Sequence, residues 1–97
     1  MAAAIVARSR GMTTAIFEKT SLVGGTTAVS GGAIWVPANH SQAEQGYEDS
    51  FERGMTYLDN VVPTDVGRDL RQVYLRRAPE AVQYLEKVSE LKLPARP

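Results

Sequence analysis

The stretch AIFEKTSLVGGTTAVSGGAIWVP, residues 15–37, decides how the rest of the chain is read. It holds four of the eight glycines, as the pairs Gly24-Gly25 and Gly31-Gly32, with Thr26, Thr27 and Ser30 between them. Glycine lets a backbone turn through positive φ and approach a ligand closely, because no Cβ intervenes. The amides and hydroxyls between the pairs could satisfy phosphate or ring oxygens. Taken alone, GGTT also reads as a plain loop with turn glycines. It is not a Walker A motif, since no Lys-Ser/Thr follows at the required spacing.

Upstream, residues 1–10 are alanines, Ile5, Val6 and arginines, mostly good helix formers. Gly11 stands where a C′ glycine is expected, with Arg8 and Arg10 suited to the negative end of the helix dipole. Nothing caps the front, so this helix reads as the second half of something longer. Residues 13–17 are β-branched and aromatic without alternation, which suits a strand buried on both faces of a parallel sheet. Helix, glycine and buried strand ending in Glu18 make the back half of a βαβ unit. In dinucleotide-binding folds an acid at that strand end accepts hydrogen bonds from the ribose, about 20 residues after the glycine fingerprint. The alternative for Glu18 is a solvated strand end.

Downstream, residues 33–36 form a second short apolar run, stopped by Pro37, and the remainder reads as helices. Residues 48–58 place Phe51, Met55 and Leu58 on one face, with Gly54 weakening the helix. Thr64 or Asp65 caps a helix reaching Arg77 and burying Val66, Leu70, Val73 and Tyr74. Pro79 opens a third helix with Glu80 near its positive end and Val82, Leu85 and Val88 on one stripe, ending near Leu91 and Pro94. The expected fold class is α/β: an incomplete Rossmann-like domain over residues 1–37 (end of first helix, second strand, glycine-rich loop), then amphipathic helices over residues 38–97.

Composition bounds the function. At 97 residues and 43% hydrophobic content, the chain is one small domain or a piece of a larger one. Eleven acidic and eleven basic residues balance, which points away from nucleic acid. Cysteine is absent, which removes disulfides, thiolate metal sites and a cysteine nucleophile. No apolar stretch approaches the roughly 20 residues of a membrane span. The start MAAAIVARSRG reverses the order of a secretory signal. A cytoplasmic location and no metal site are expected.

FEKTSLVGGTTAVSGGAIWVP, residues 17–37, closely resembles the fumarate reductase/succinate dehydrogenase flavoprotein superfamily. Within it, the resemblance is strongest to the 3-ketosteroid Δ1-dehydrogenase branch, and YLRRAPEAVQYLEKVSEL resembles that branch more loosely. The family binds FAD in a Rossmann-like domain and moves a hydride between a substrate carbon and flavin N5. The resemblance implies Glu18 on the adenosine ribose and Lys19 beside the adenosine. It places Gly24, Gly25, Thr26 and Thr27 near the pyrophosphate and ribityl chain, and Ser30, Gly31 and Gly32 near the isoalloxazine ring. Succinate dehydrogenase-type members attach the flavin through a histidine, but the matching place here is Gly25. His40, the only histidine, lies beyond the loop, so noncovalent FAD is implied. His40 itself is read as a surface or loop residue.

The family's GxGxxG would precede the first helix. From its last glycine to the ribose acid is about 18 to 20 residues, and Glu18 lies 17 residues after Met1. The expectation is therefore a fragment of a longer protein, or an internal methionine taken as the start. Substrate-facing tyrosines of the steroid branch would lie beyond residues 94–97. Tyr47, Tyr57, Tyr74 and Tyr84 match none of them, and the last two are read as packing residues. Arg76 and Arg77 read as a solvated helix face, and Trp35 as packing under the flavin loop. No catalytic residue is assigned within the chain.

The expectation is a fragment of an FAD-dependent oxidoreductase acting on CH–CH bonds, with a steroid or other enone as the small-molecule substrate of the full-length protein. The isolated chain is expected to be inactive. The alternatives are a fumarate reductase-like flavoprotein of reverse polarity, and a non-catalytic truncated remnant that folds poorly or serves only as an interaction module.

Overall fold

Gly11 does end the first helix, and the hydrogen bonds show why a glycine stands there. In the computed structural model, which describes residues 1–95, helix α1 spans Ala2–Ser9. Gly11 takes φ +80°. Its amide donates to the Arg8 carbonyl at 3.0 Å, and the Met12 amide donates to the Ala7 carbonyl at 3.1 Å. That pair of bonds is a Schellman closure, which needs a left-handed residue at C′. Helix α2, Gly25–Ala28, is a single turn inside the glycine-rich stretch. Helices α3 (His40–Glu44), α4 (Phe51–Val61) and α5 (Arg68–Val88) follow.

The expected α/β class is corrected here: among the described residues there are five helices and no strand. Residues 13–17 have no regular secondary structure, and Phe17 is 94% exposed. A strand exists only by pairing its backbone with a neighbour. No other described segment provides that ladder, so β-propensity alone does not make one. Residues 33–36 likewise remain irregular.

The chain divides into two units, Met1–Trp35 and Val36–Pro97. The first unit, which holds α1 and α2, has no buried residue. The second owes its core to Val36, Met55, Leu75 and Val82, with Pro37 and Gly54 also buried. Here α4 packs on α5. Ser50 caps α4 by accepting the Arg53 amide at 3.2 Å, so the helix starts later than the expected residue 48.

Neither expected helix of the last third stands alone. One helix, α5, runs for 21 residues with Pro79 inside it. A proline there gives up one intrahelical bond, to the carbonyl of Leu75. Leu75 and Val82 are buried on either side of Pro79 while α5 packs on α4, and that burial outweighs the local break. Gly67, at φ +69°, precedes the helix in place of the expected Thr64 or Asp65 cap. The face of α5 also differs from expectation. Val66, Leu70, Val73 and Tyr74 are exposed, Leu70 at 68%, whereas Leu75 is 4% exposed. The stripe of Val82, Leu85 and Val88 does turn inward.

The α4–α5 connection is stapled by charge. Arg68 donates to both Asp59 oxygens, from Nη2 at 2.8 Å and Nε at 3.2 Å. Arg71 closes the loop by donating to the carbonyls of Thr64 at 2.7 Å and Val66 at 2.9 Å. The Arg76 guanidinium lies 5.0 Å from the centre of the Phe51 ring, a second tie between the helices.

Candidate functional site

Glu18 is exposed and its carboxylate is already engaged locally. Oε1 accepts the Thr20 amide at 3.0 Å and lies 3.2 Å from the Thr20 hydroxyl. That hydroxyl also reaches the Leu22 carbonyl at 2.8 Å, so its single proton serves one acceptor at a time. The Thr20 amide, then its hydroxyl, hold the Glu18 carboxyl below the usual carboxylate value, against a smaller opposing effect of burial. An ionised acceptor with lone pairs to spare is what a ribose diol requires. Thr20 was not singled out in the sequence, although an acid followed two residues later by a hydroxyl is a local signal for this turn.

The glycine pairs differ in what they require. Gly24 takes φ +108°, and a Cβ there would lie 2.6 Å from the Ala28 Cβ, so both backbone and space demand glycine. Gly25 at φ +53° and Gly32 at φ +68° are held to glycine by conformation, with no atom within 4 Å of the missing Cβ. Gly31 has neither constraint: its φ lies outside the left-handed region, and the space before it is open. Nothing among the described residues explains why position 31 lacks a side chain. Ser30 ties this part together, donating to the Thr27 carbonyl at 2.9 Å and accepting the Gly32 amide at 3.1 Å. Lys19, Thr26 and Thr27 are exposed. All the residues expected at a cofactor therefore lie in the unit Met1–Trp35, and all are open to solvent.

The turn that follows, in the second unit, is held more firmly. Ala38 adopts φ +55°, uncommon for a residue with a Cβ. Its amide donates to Asp49 Oδ2 at 3.0 Å, and Asn39 Nδ2 donates to the Val36 carbonyl at 2.6 Å. Asn39 and Gln42 form a reciprocal capping box at the start of α3. His40, expected in a loop or on the surface, opens α3 half-buried, with Nε2 2.7 Å from Glu86 Oε2. Among the described residues no group of three or more His, Cys, Asp or Glu could hold a metal ion. No helix among them is long and apolar enough to cross a membrane.

Comparisons with known proteins bear on this segment. The chain is 39% identical to a 3-oxosteroid 1-dehydrogenase of Mycobacterium tuberculosis over 93 residues, covering 96% of this chain and 16% of that protein. It is 37% identical to a 4-oxocyclohex-2-ene-1-carboxylate 5-dehydrogenase of Sinomonas cyclohexanicum over 92 residues, covering 95% and 15%. A urocanate reductase of Eggerthella lenta is 46% identical over 52 residues, covering 54% of this chain and 9% of that protein. The chain thus spans about one-sixth of the length of the first two relatives. No solved structure matches it significantly. The profile of the family described as the FAD binding domain matches residues 1–97, and the chain belongs to that family.

Proposed function

We propose that this chain contributes the adenosine and flavin contacts of an FAD-dependent dehydrogenase acting on a CH–CH bond beside a ketone, in a 3-ketosteroid or a related cyclic enone. The observation that carries this reading is Gly31, a glycine that its own backbone and neighbours do not require, in a chain that belongs to the FAD binding domain family. The missing Cβ is then explained by a ligand that comes close.

The residues present fit the cofactor. Glu18, whose carboxyl the Thr20 contacts hold below its ordinary value, accepts the ribose hydroxyls, and Lys19 flanks the adenosine. Gly24, Gly25, Thr26 and Thr27 offer amides and hydroxyls to the pyrophosphate and ribityl chain. Ser30, Gly31 and Gly32 lie against the isoalloxazine ring, where open space at Gly31 and Gly32 admits a flat ring. The cofactor is held without a covalent bond, because Gly25 has no side chain to attach. FAD supplies a hydride acceptor when bound, and this chain's part is to bind and orient it. No proton transfer is assigned to any residue of the chain. The named substrates of the relatives, 3-oxosteroids and cyclic oxo acids, favour an enone. A cytoplasmic location goes with the reading on composition alone.

The urocanate reductase match favours a second reading, the reverse polarity, in which an activated double bond is reduced. One experiment tests the cofactor assignment that both readings share. Residues 1–97 are grafted in place of the matching segment of the Mycobacterium tuberculosis 3-oxosteroid 1-dehydrogenase. The expected product is yellow, releases all its flavin on acid precipitation, and dehydrogenates a 3-ketosteroid. Gly31→Ala in the graft should weaken FAD without lowering the melting temperature of the apoprotein. Unchanged FAD affinity in that variant would sink the assignment of the loop.

A further inference from the structure

The segment after α5 has no regular secondary structure, so its backbone groups must find partners elsewhere. It finds them in side chains of α3 and α5 and in that of Ser89, the residue after α5. Glu86, in the last turn of α5, accepts the Leu93 amide on Oε1 at 2.6 Å and meets His40 Nε2 on Oε2 at 2.7 Å. Ser41, next to His40, accepts the Ala95 amide at 2.9 Å. Ser89 donates to the Leu85 carbonyl at 2.7 Å and accepts the Leu91 amide at 3.2 Å. One carboxylate, only 12% exposed, therefore joins α5, α3 and the returning segment.

We propose that residues 89–95 are a strap latched by the Glu86 carboxylate, shut while that carboxylate is ionised and released in acid. An ionised carboxylate accepts on both oxygens at once, and both donors here, the Leu93 amide and His40 Nε2, face it. Protonation removes the negative charge that strengthens both contacts and leaves the hydroxyl oxygen a weaker acceptor, so the Leu93 and His40 bonds lose their charge assistance. The titratable or charged groups that act on Glu86 are His40 from α3 and Lys92 from the strap. The Leu93 amide first, then these two, hold Glu86 below its ordinary value of 4.5, against burial. A depressed folded value means the latch is fully present above about 4.5 and is lost as pH falls through the lowered value. The serine contacts do not titrate in this range, so they keep the strap near without holding it shut.

The test is hydrogen exchange of the 97-residue chain, read by mass spectrometry and corrected for intrinsic rates, from pH 7 down to pH 3. The expected result is loss of protection at the amides of residues 89–95 below about pH 4.5, while fragments covering Leu75 and Val82 stay protected. Glu86→Gln, which carries no charge, should show weaker strap protection than the unaltered chain at pH 7 and no further change as pH falls through the lowered value of Glu86. Should that variant not fold, the pH series of the unaltered chain decides alone. Strap protection that persists unchanged to pH 3, that disappears only together with that of α5, or that is equal in Glu86→Gln and the unaltered chain at pH 7 overturns the latch.

Discussion

A Cβ placed on Gly54 would lie 3.0 Å from Cδ2 of Leu75, so α4 and α5 approach through the absence of a side chain. The same Cβ would lie 3.2 Å from Cγ of Pro37. The glycine that weakens α4 locally is what allows the helices and the residue 36–37 segment to close on one another. Gly54→Ala gains about 0.8–1.0 kcal/mol of helix propensity but overpacks a site walled by a buried leucine and a rigid ring, at about 1–3 kcal/mol. The expected outcome is a net loss of about 1 kcal/mol in urea unfolding followed by circular dichroism, and a larger loss for Gly54→Val.

Two leucines of α5 separate the observed packing face from the expected one. Leu75→Ala should cost about 2–5 kcal/mol, the range for a buried leucine. Leu70→Ala, on the exposed face, should stay within about 0.5 kcal/mol. Thermal melts of the two variants give the comparison. The reverse order would restore the face read from the sequence.

Asp59 carries a pH dependence of known sign. The Arg68 side-chain hydrogen bond, then the charges of Arg68 and Arg71, hold its carboxyl below 3.8 against a burial penalty. The staple is therefore complete above pH 3.8 and fades as pH falls through the lowered value. Asp59→Asn should lower the melting temperature at pH 7 and leave it close to that of the unaltered chain near pH 2. An equal difference at both values would mean the aspartate acts by shape and not by charge.

Glu18→Ala in the grafted dehydrogenase should raise the FAD dissociation constant, since it removes a charged acceptor from the ribose. Thr20→Val should weaken FAD less, as the Thr20 amide still holds the carboxylate. Flavin fluorescence titration of the apoproteins measures both. Equal affinity in Glu18→Ala and the parent would return Glu18 to a solvated surface residue.

The 97-residue chain alone should self-associate through the unit Met1–Trp35, where Phe17 and Val29 are 94% and 85% exposed. Sedimentation velocity should show concentration-dependent species, reduced by Phe17→Glu. Its glycines and Glu18 are open to solvent, so FAD should bind more weakly than about 10 μM, roughly −7 kcal/mol. Tighter saturable binding by a monomer would show the first unit to be preorganised.

Much of what local chemistry controls was legible in the residues. Gly11 closes α1 because a C′ glycine needs only its own helix, and the inward stripe of Val82, Leu85 and Val88 follows from helical spacing. The glycine pairs with Glu18 carry the family likeness in a short, contiguous stretch, and the FAD binding domain match covers it. What depended on distant partners was not legible. Residues 13–17 have strand composition, yet a strand is a property of two segments, and no second one is described here. Pro79 reads as a helix start until Leu75 and Val82 are seen packing on both sides of it. Leu70 and Leu75 are equally apolar in one helix, and only the packing of α5 on α4 selects the second for burial. Gly54 likewise looks like a defect until its neighbours are known. His40 shows nothing in sequence of its bond to Glu86, 46 residues away. Such pairings are chosen by folding the chain back on itself, where burial and unpaired polar groups are weighed together, and no window of local sequence contains both partners.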